Sequence, residues 1–345
     1  MTSITDVPED LLYYLSLNFE RDRHTLYSLN LVCHKFYHAT QALLFRHVGR
    51  ISADQAKLLS RSLSEVPELK THVQSYHISL NGGRLDEDRL KEALDCPNIK
   101  ELWFSRYDKP RGGMGGHLNN MKHALKKFRD GRSVEHDFEC SFLDAYSLDS
   151  IRRIRLELDF TTTELIRFML VPNVTSLSAT RLDIMKAPLL SAEFAYKTSA
   201  LTSLDILGGS LWRMDSSTLR TILSFCPHLR SLRCQIPMQT LHDSHTDLTS
   251  RVTQPVSPGD FTAVLRPVRD TLQELSLLNL RHRVPYDGSQ IDLSHFPALV
   301  ELEITSCCLL PAGPPCPERD LMCRLLPKNL RRLKASRGLY FASYL

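Results

Sequence analysis

The sequence predicts an α/β chain in which a helical N-terminal module precedes a solenoid with parallel strands inside and helices outside. Two observations lead to this prediction. A short apolar pattern recurs along most of the chain at a nearly constant interval, and the N-terminal stretch carries apolar residues at helical spacing. The chain has 345 residues, of which 42% are hydrophobic and 24% charged, so it is long enough for a small domain and a repeat array.

The recurring pattern has the form apolar-x-x-apolar-x-apolar. Its occurrences are VQSYHI (73–78), IKELWF (99–104), IRRIRL (151–156), VTSLSA (174–179), LTSLDI (201–206), LRSLRC (229–234), LQELSL (272–277), LVELEI (299–304) and LRRLKA (330–335). Successive first positions lie 26, 52, 23, 27, 28, 43, 27 and 31 residues apart. Alternation puts the second and third apolar residues of each hexapeptide on one face of a short strand, and the first enters from the preceding turn.

Helical spacing is found between these strands. The segments are DRLKEALDCP, TTTELIRFMLVP, DSSTLRTILSFCP and PERDLMCRLLP, which end at Pro97, Pro172, Pro227 and Pro327. Proline cannot continue a helix, and Asp215 or Ser216 is the predicted N-cap of the third segment. One strand–turn–helix unit is too small to bury its own apolar face, so stacked neighbours must share a continuous core.

The period and the hexapeptide resemble the leucine-rich repeat family over about residues 70 to 340. The Asn or Cys that this family usually carries after the strand is nearly absent here, and only Cys307 in LEITSC occupies that place. The resemblance therefore implies an irregular leucine-rich repeat solenoid.

Residues 4–48 precede the repeats and are expected to form helices. Pro8 suits a first helical turn, with Asp6 as the predicted N-cap. One apolar stripe comprises Leu11, Leu12, Leu15 and Phe19, and a second comprises Leu26, Leu29, Cys33 and Phe36, while Leu31 and Val32 point elsewhere. About 45 residues bury only a thin core, so these apolar faces are expected to meet helices of another protein or to dock on the solenoid.

The order VPEDLLYYLSLNF…LNLVCHKFYHATQALLFRHV resembles an F-box, and ATQALLFRHV resembles the extension common in fungal F-box proteins. The family implies a three-helix module that binds the Skp adaptor of cullin-RING ubiquitin ligases, with the downstream domain selecting the substrate. The segment Tyr13-Tyr14-Leu15-Ser16-Leu17 departs from the Ile-Leu pair that the family favours. The matched positions, which the resemblance makes adaptor contacts, are Pro8, Leu11, Leu12, Leu15, Leu31, Val32, Cys33 and Phe36.

Composition limits the class of protein and its compartment. The nine cysteines include no CxxC pair, which indicates neither a disulfide framework nor a zinc ribbon. No signal-peptide pattern and no run of about 18 apolar residues occurs, so we expect a cytoplasmic or nuclear protein that does not enter a membrane. The net charge of +4 is evenly spread and predicts no nucleic-acid partner.

Other candidate sites have simpler interpretations. The glycine run at 111–128 lacks the ending of a P-loop and is interpreted as an inter-repeat loop, and LHDSHTDL (241–248) as part of a polar insertion that can touch a partner. Cys307, Cys308, Cys316 and Cys323 match no zinc spacing and are interpreted as core cysteines. The basic stretch 328–337 is interpreted as a solvated face. No catalytic motif is present, so we predict no enzyme, no catalytic residue, no cofactor and no metal.

The predicted domains are a helical F-box module at 1–50 and a leucine-rich repeat-like solenoid at 51–345. The predicted function is that of a substrate-recognition subunit of a Skp-cullin-F-box ubiquitin ligase with an unknown protein substrate. The alternative is a ubiquitin-independent repeat scaffold whose N-terminal helices are only a cap. Exposure of the apolar side chains in residues 8–36 separates the two, because only an interface without its partner leaves them in water. Substrate contacts are expected in the insertion 237–258 and at Arg153, Glu157, Arg230, Arg233, Glu274 and Glu303.

Overall fold

A computed structural model describes eleven stretches of the chain. They are residues 7–20, 22–81, 85–107, 140, 142–157, 160–180, 197–207, 216–235, 257–278, 289–309 and 321–336. The chain forms two compact units, Met1–Glu139 and Cys140–Leu345. None of the helices in these stretches is long and apolar enough to cross a membrane.

The first unit begins with three helices and continues into strands. Its elements are α1 (Glu9–Leu17), α2 (Arg23–Asn30), α3 (His34–Arg46), β1 (His47–Val48), α4 (Ala53–Glu65), a 3-10 turn (Pro67–Thr71), β2 (Ser75–Asn81), α5 (Glu87–Leu94) and β3 (Glu101–Tyr107). β2 pairs in parallel with β1 on one side and with β3 on the other. Because β1 follows α3 without a loop, the helices lead directly into the sheet.

The starts of the first helices are set by short polar contacts. The carbonyl of Pro8 accepts hydrogen bonds from the backbone N–H groups of Leu11 and Leu12 at 3.1 and 3.2 Å, so Pro8 is the N-cap residue of α1. The prediction that Asp6 is the N-cap was therefore wrong, and Asp6 itself lies outside the described residues. Asp22 caps α2 by accepting a bond from the backbone N–H of Thr25 at 3.1 Å.

The second unit repeats the pattern of strand and helix. Its strands are β4 (Arg153–Glu157), β5 (Ser176–Thr180), β6 (Ser203–Leu207), β7 (Ser231–Gln235), β8 (Glu274–Leu278), β9 (Glu301–Thr305) and β10 (Arg332–Ser336). Its helices are α6 (Phe142–Ala145), α7 (Thr162–Met169), α8 (Ser216–Ser224), α9 (Pro258–Leu265) and α10 (Leu321–Leu325). Each strand from β4 to β10 pairs in parallel with the next, which confirms the predicted α/β class with parallel strands.

All nine hexapeptides coincide with strands, and each strand begins at the third residue of its hexapeptide. Equivalent positions are aligned between neighbours, as where Ser203 pairs with Ser176 on one side and Ser231 on the other. The first apolar residue of most hexapeptides is buried. Its exposed fraction is 1% or less at Val73, Ile99, Ile151, Val174, Leu201, Leu229, Leu272 and Leu299. The shared core of stacked units therefore has the predicted composition.

The turn before several strands contains an asparagine that reaches back to the preceding repeat. Asn98 donates from its side chain to the carbonyl of Thr71 at 2.7 Å, and Asn329 donates to that of Pro297 at 2.9 Å. Asn173 donates more weakly to Asp149 at 3.4 Å and has a φ of 66°. These asparagines link successive repeats before the strand, whereas the predicted Asn or Cys position lies after it.

The predicted helices are present as α5, α7, α8 and α10, while α4, α6 and α9 were not predicted. Ser216 is the first residue of α8, and Asp215 lies outside the described residues. α7 has the capping box that its sequence TTTE encodes: Thr161 accepts from the N–H of Glu164, and the Glu164 carboxylate accepts from the N–H of Thr161.

Candidate partner-binding surface

The helices α1 and α2 both pack against α3 to form a small module, here called the helical module (residues 7–46). Its core contains Leu12 from α1 and Phe36 and Ala39 from α3, which are 0%, 5% and 6% exposed. Two buried hydroxyls are satisfied by carbonyls one turn earlier: Ser16 donates to Leu12 and Thr40 donates to Phe36, both at 2.7 Å. The core of the helical module is therefore small.

Large apolar side chains are exposed on this module to an unusual degree. Of the eleven such side chains that are exposed in the described residues, eight fall within 27 consecutive positions of the N-terminal helices. They are Leu11, Tyr14, Leu15, Phe19, Tyr27, Leu31, Val32 and Tyr37. We call these eight side chains the exposed apolar set. Single exposed apolar residues are normal on proteins, whereas a concentration of them is typical of interaction surfaces.

The helical geometry of α1 explains why neighbouring leucines differ in burial. Leu12 and Ser16 are one turn apart and face the core, while Leu11 and Leu15, also one turn apart, face solvent with exposed fractions of 53% and 55%. The predicted single stripe of Leu11, Leu12, Leu15 and Phe19 is therefore split, because only Leu12 turns inward.

Burial divides the eight predicted adaptor contacts into three groups. Pro8, Leu11, Leu15, Leu31 and Val32 are exposed. Cys33 is half-buried at the N-cap position of α3, and Leu12 and Phe36 are core residues. Leu12 and Phe36 are core residues that hold α1 on α3, so the exposed positions are the ones accessible from outside the chain, and the adaptor contacts themselves stay a prediction.

Polar contacts join the helical module to the first strands of the same unit. Arg46, at the end of α3, contacts Glu20 at 2.8 Å and donates from Nε to the side-chain carbonyl of Gln74 at 3.1 Å. The backbone N–H of Gln74 donates to the carbonyl of Arg46 at 2.9 Å. Arg46 belongs to the segment ATQALLFRHV, in which the sequence alone did not indicate this linking contact.

The outward face of the sheet in the second unit carries the predicted substrate positions. Arg153, Arg230, Arg233 and Glu274 are exposed, and Glu157 and Glu303 are half-buried. Several of these charges are already engaged across strands: Ser231 donates to Glu274 at 2.9 Å and Ser276 donates to Glu303 at 2.8 Å. The rest of the predicted substrate surface is the insertion 237–258, of which residues 237–256 lie outside the described residues.

Carboxylates on this face have shifted pKa values. Hydrogen bonds, first from Lys334 and then from Ser276, hold the pKa of Glu303 below its usual value. Burial raises the pKa of Asp205, and Arg233, 3.8 Å away, opposes the shift. These contacts make the strand face a charged, hydrogen-bonded surface.

The corresponding face in the first unit is closed rather than exposed. His77 on β2 is 6% exposed, and its Nε2 lies 2.8 Å from the hydroxyl of Ser105 on β3. The ring of Trp103 packs edge-on against that of His77 at 4.7 Å between centroids. Burial, and secondarily the charge of Arg50, lowers the pKa of His77 to about 4. A neutral, inaccessible histidine of this kind is a structural residue.

Several buried cysteines of the described residues have raised thiol pKa values. Burial raises the pKa of Cys96 to about 11 and that of Cys226 to about 12, so both thiols stay protonated. No group of three metal-ligating side chains occurs in the part of the chain that the structure describes. Cys308 is buried as predicted, but Cys323 is exposed, so its interpretation as a core cysteine was wrong.

Several sequence features cannot be placed. The glycine run 111–128, the segment 241–248 and Cys316 all lie outside the described residues, as does the side chain of Cys307. The basic stretch is described up to residue 336, and its Lys328, Arg331, Arg332 and Lys334 are exposed as expected.

Comparison with known proteins adds no assignment: a scan of protein-family models finds none that matches the chain, and a search of curated proteins finds no match.

Proposed function

We propose that the chain is a substrate-recognition subunit of a Skp-cullin-F-box ubiquitin ligase, in which the helical module binds a Skp-type adaptor and the outward faces of the parallel strands bind a protein substrate. The observation that carries the proposal is the concentration of the exposed apolar set on the first three helices. The order of landmarks in the sequence gives the surface its proposed partner.

Burial of this set supplies the driving force for binding. Covering a leucine-sized side chain completely is worth about 1.5–3 kcal/mol, and a few well-packed anchors commonly dominate an interface. Leu11 and Leu15 on α1 and Leu31 after α2 are the most exposed of the matched leucines, so we assign the anchoring role to them. Leu12 and Phe36 act indirectly, since their packing fixes the position of α1 on α3.

The chain itself performs no chemistry in this proposal. Its contribution is effective concentration: a substrate held on the strands is tethered near a ubiquitin-conjugating enzyme, and a bimolecular encounter becomes a local one. The contacts of Arg46 with Glu20 and Gln74 support this role, because they join the adaptor-binding helices to the first strands without a flexible linker.

One observation favours the alternative in which the helices cap the repeat array. β1 pairs in parallel with β2 and extends the sheet toward the helical module. Capping accounts for the contacts around Arg46, but it does not account for eight large apolar side chains left in water. We therefore assign capping as a second task of the same module.

The test is a pull-down of the purified full-length chain with an immobilised Skp-type adaptor. The test variant is Leu11→Asp/Leu15→Asp, and the matched control is Leu58→Asp, since Leu58 is a helical leucine in the same unit with an exposed fraction of 54%. Leu12 is left unchanged because it is buried, and residues 1–50 are not deleted because deletion removes β1 and Arg46.

We expect the wild-type chain and the Leu58 variant to bind the adaptor and the double variant to lose binding, with all three equally folded by circular dichroism. Absence of binding by folded wild-type chain would leave capping as the role of the helical module. Equal loss in the Leu58 variant would show that the surface is not specific.

A further inference from the structure

Two histidines on α3 converge at the surface. The Nε2 atoms of His34 and His38 lie 3.2 Å apart, and their rings meet edge to face with centroids 4.3 Å apart. Both residues are exposed. We propose that His34 and His38 form a binding site for a divalent transition-metal ion, with Zn²⁺ as the representative ion.

The spacing and the distance both fit a chelate. Residues four apart lie on one helix face, and paired histidines at this spacing are the helical ligands of zinc in many metalloenzymes. With metal–nitrogen distances of about 2.1 Å, a separation of 3.2 Å between the two nitrogens gives an angle of about 100° at the metal. That angle lies between the tetrahedral and octahedral values, so the separation of the two nitrogens suits a chelate.

Neighbouring side chains hold both rings in place. The ring of Tyr37 is stacked with that of His34 at 6.3 Å and meets that of His38 edge-on at 5.4 Å. Gln41 donates to the hydroxyl of Tyr37 at 3.1 Å, which fixes the tyrosine in turn. Partners that orient the ligands reduce the conformational cost of metal binding.

Without metal, the two Nε2 atoms share one hydrogen bond, in which one ring donates and the other accepts. Neutral imidazole can carry its proton on either nitrogen, so transfer of the donor's proton to Nδ1 frees both Nε2 lone pairs for the ion. No third Cys, His, Asp or Glu joins these two ligands within the described residues, so water fills the remaining positions. This site stands independently of the proposed ligase role.

The experiment is isothermal titration of the full-length chain with Zn²⁺, and with Mg²⁺ as the hard-cation control that prefers oxygen ligands. His34→Gln and His38→Gln are the test variants. His24→Gln is the matched control, since His24 is an exposed histidine on α2 of the same module. Folding of each variant is checked by circular dichroism.

We expect one Zn²⁺ site in the wild-type chain and no Mg²⁺ binding. The affinity for Zn²⁺ should be at least about tenfold weaker in either test variant, because tenfold is the smallest loss seen when only groups that orient metal ligands are removed. An isotherm unchanged in both test variants, or equally weakened by His24→Gln, would overturn the proposal.

Discussion

Leu11 and Leu12 are adjacent residues of one helix with opposite roles. Leu12 is fully buried against Phe36, so Leu12→Ala should lower the free energy of unfolding by about 2–5 kcal/mol. Leu11 is 53% exposed, and Leu11→Ala should change it by no more than about 0.5 kcal/mol. Urea denaturation followed by far-ultraviolet circular dichroism measures both values, and similar costs for the two changes would contradict the assigned burial.

His77 predicts a specific dependence of stability on pH. Burial lowers its pKa to about 4 in the folded chain from an ordinary value of 6.5, so between these values the unfolded chain binds the additional proton. The contribution of neutral His77 is complete above pH 6.5 and is lost as the pH falls toward 4, amounting to about 3 kcal/mol.

The measurement is the urea midpoint of the wild-type chain and of His77→Gln at several pH values within this window. The wild-type midpoint should fall more steeply with decreasing pH than that of the variant, which has no titrating group at this position. Parallel curves would mean that His77 titrates alike in the folded and unfolded chains.

At the scale of elements, the capping box of α4 gives a local test of helix stability. Ser52 accepts a bond from the N–H of Gln55 at 3.3 Å, and the Gln55 side chain accepts one from the N–H of Ser52 at 2.9 Å. Ser52→Ala should cost about 1 kcal/mol. Ser64→Ala, a control near the other end of the helix, should be neutral, because its hydroxyl only bonds back to the carbonyl of Ser60. Chemical denaturation compares them, and equal costs would argue against the cap.

The turn before β5 requires an unusual backbone conformation. Asn173 has a φ of 66°, a left-handed conformation that asparagine and glycine tolerate and β-branched residues avoid. We expect Asn173→Gly to leave thermal stability nearly unchanged and Asn173→Val to reduce it by about 1–2 kcal/mol. A valine variant as stable as the wild type in calorimetry would be inconsistent with this turn.

The strands were predictable from the sequence because their apolar residues alternate and recur at the same positions in each repeat. Alternating apolar residues enter the core, and register aligns the same hexapeptide position in each neighbour. α4 was not predicted, although Ala56, Leu59 and Leu63 lie at helical spacing and Ser52 and Gln55 match a capping box. β1 was missed because two residues are too few for a periodic pattern.

The candidate surface could be predicted only in part, because the burial of each side chain depends on how the helices pack. Apolar spacing identifies helices in residues 9–46, but it does not tell which leucine of a Leu-Leu pair turns inward. That choice depends on the angle at which α1 packs on α3, and packing is a tertiary property. Hence Leu12 and Leu11 were predicted alike and differ in the structure.

At the scale of the whole molecule, the two described surfaces differ in chemistry. The first helices present apolar side chains, as protein-binding surfaces do, while the outward strand face of the second unit is polar and charged. An interface with a constant partner favours apolar anchors, and a charged surface favours selection among partners. This division is what a substrate-recognition subunit needs.

The central claim, that the exposed apolar set faces an adaptor, is tested most directly by hydrogen–deuterium exchange of the full-length chain with and without a Skp-type adaptor. We predict slower exchange in α1, α2 and the start of α3 when the adaptor is bound, with no change in β6 and β7 of the second unit. Unchanged exchange throughout residues 9–46 at saturating adaptor, or protection confined to the strands of the second unit, would contradict the claim.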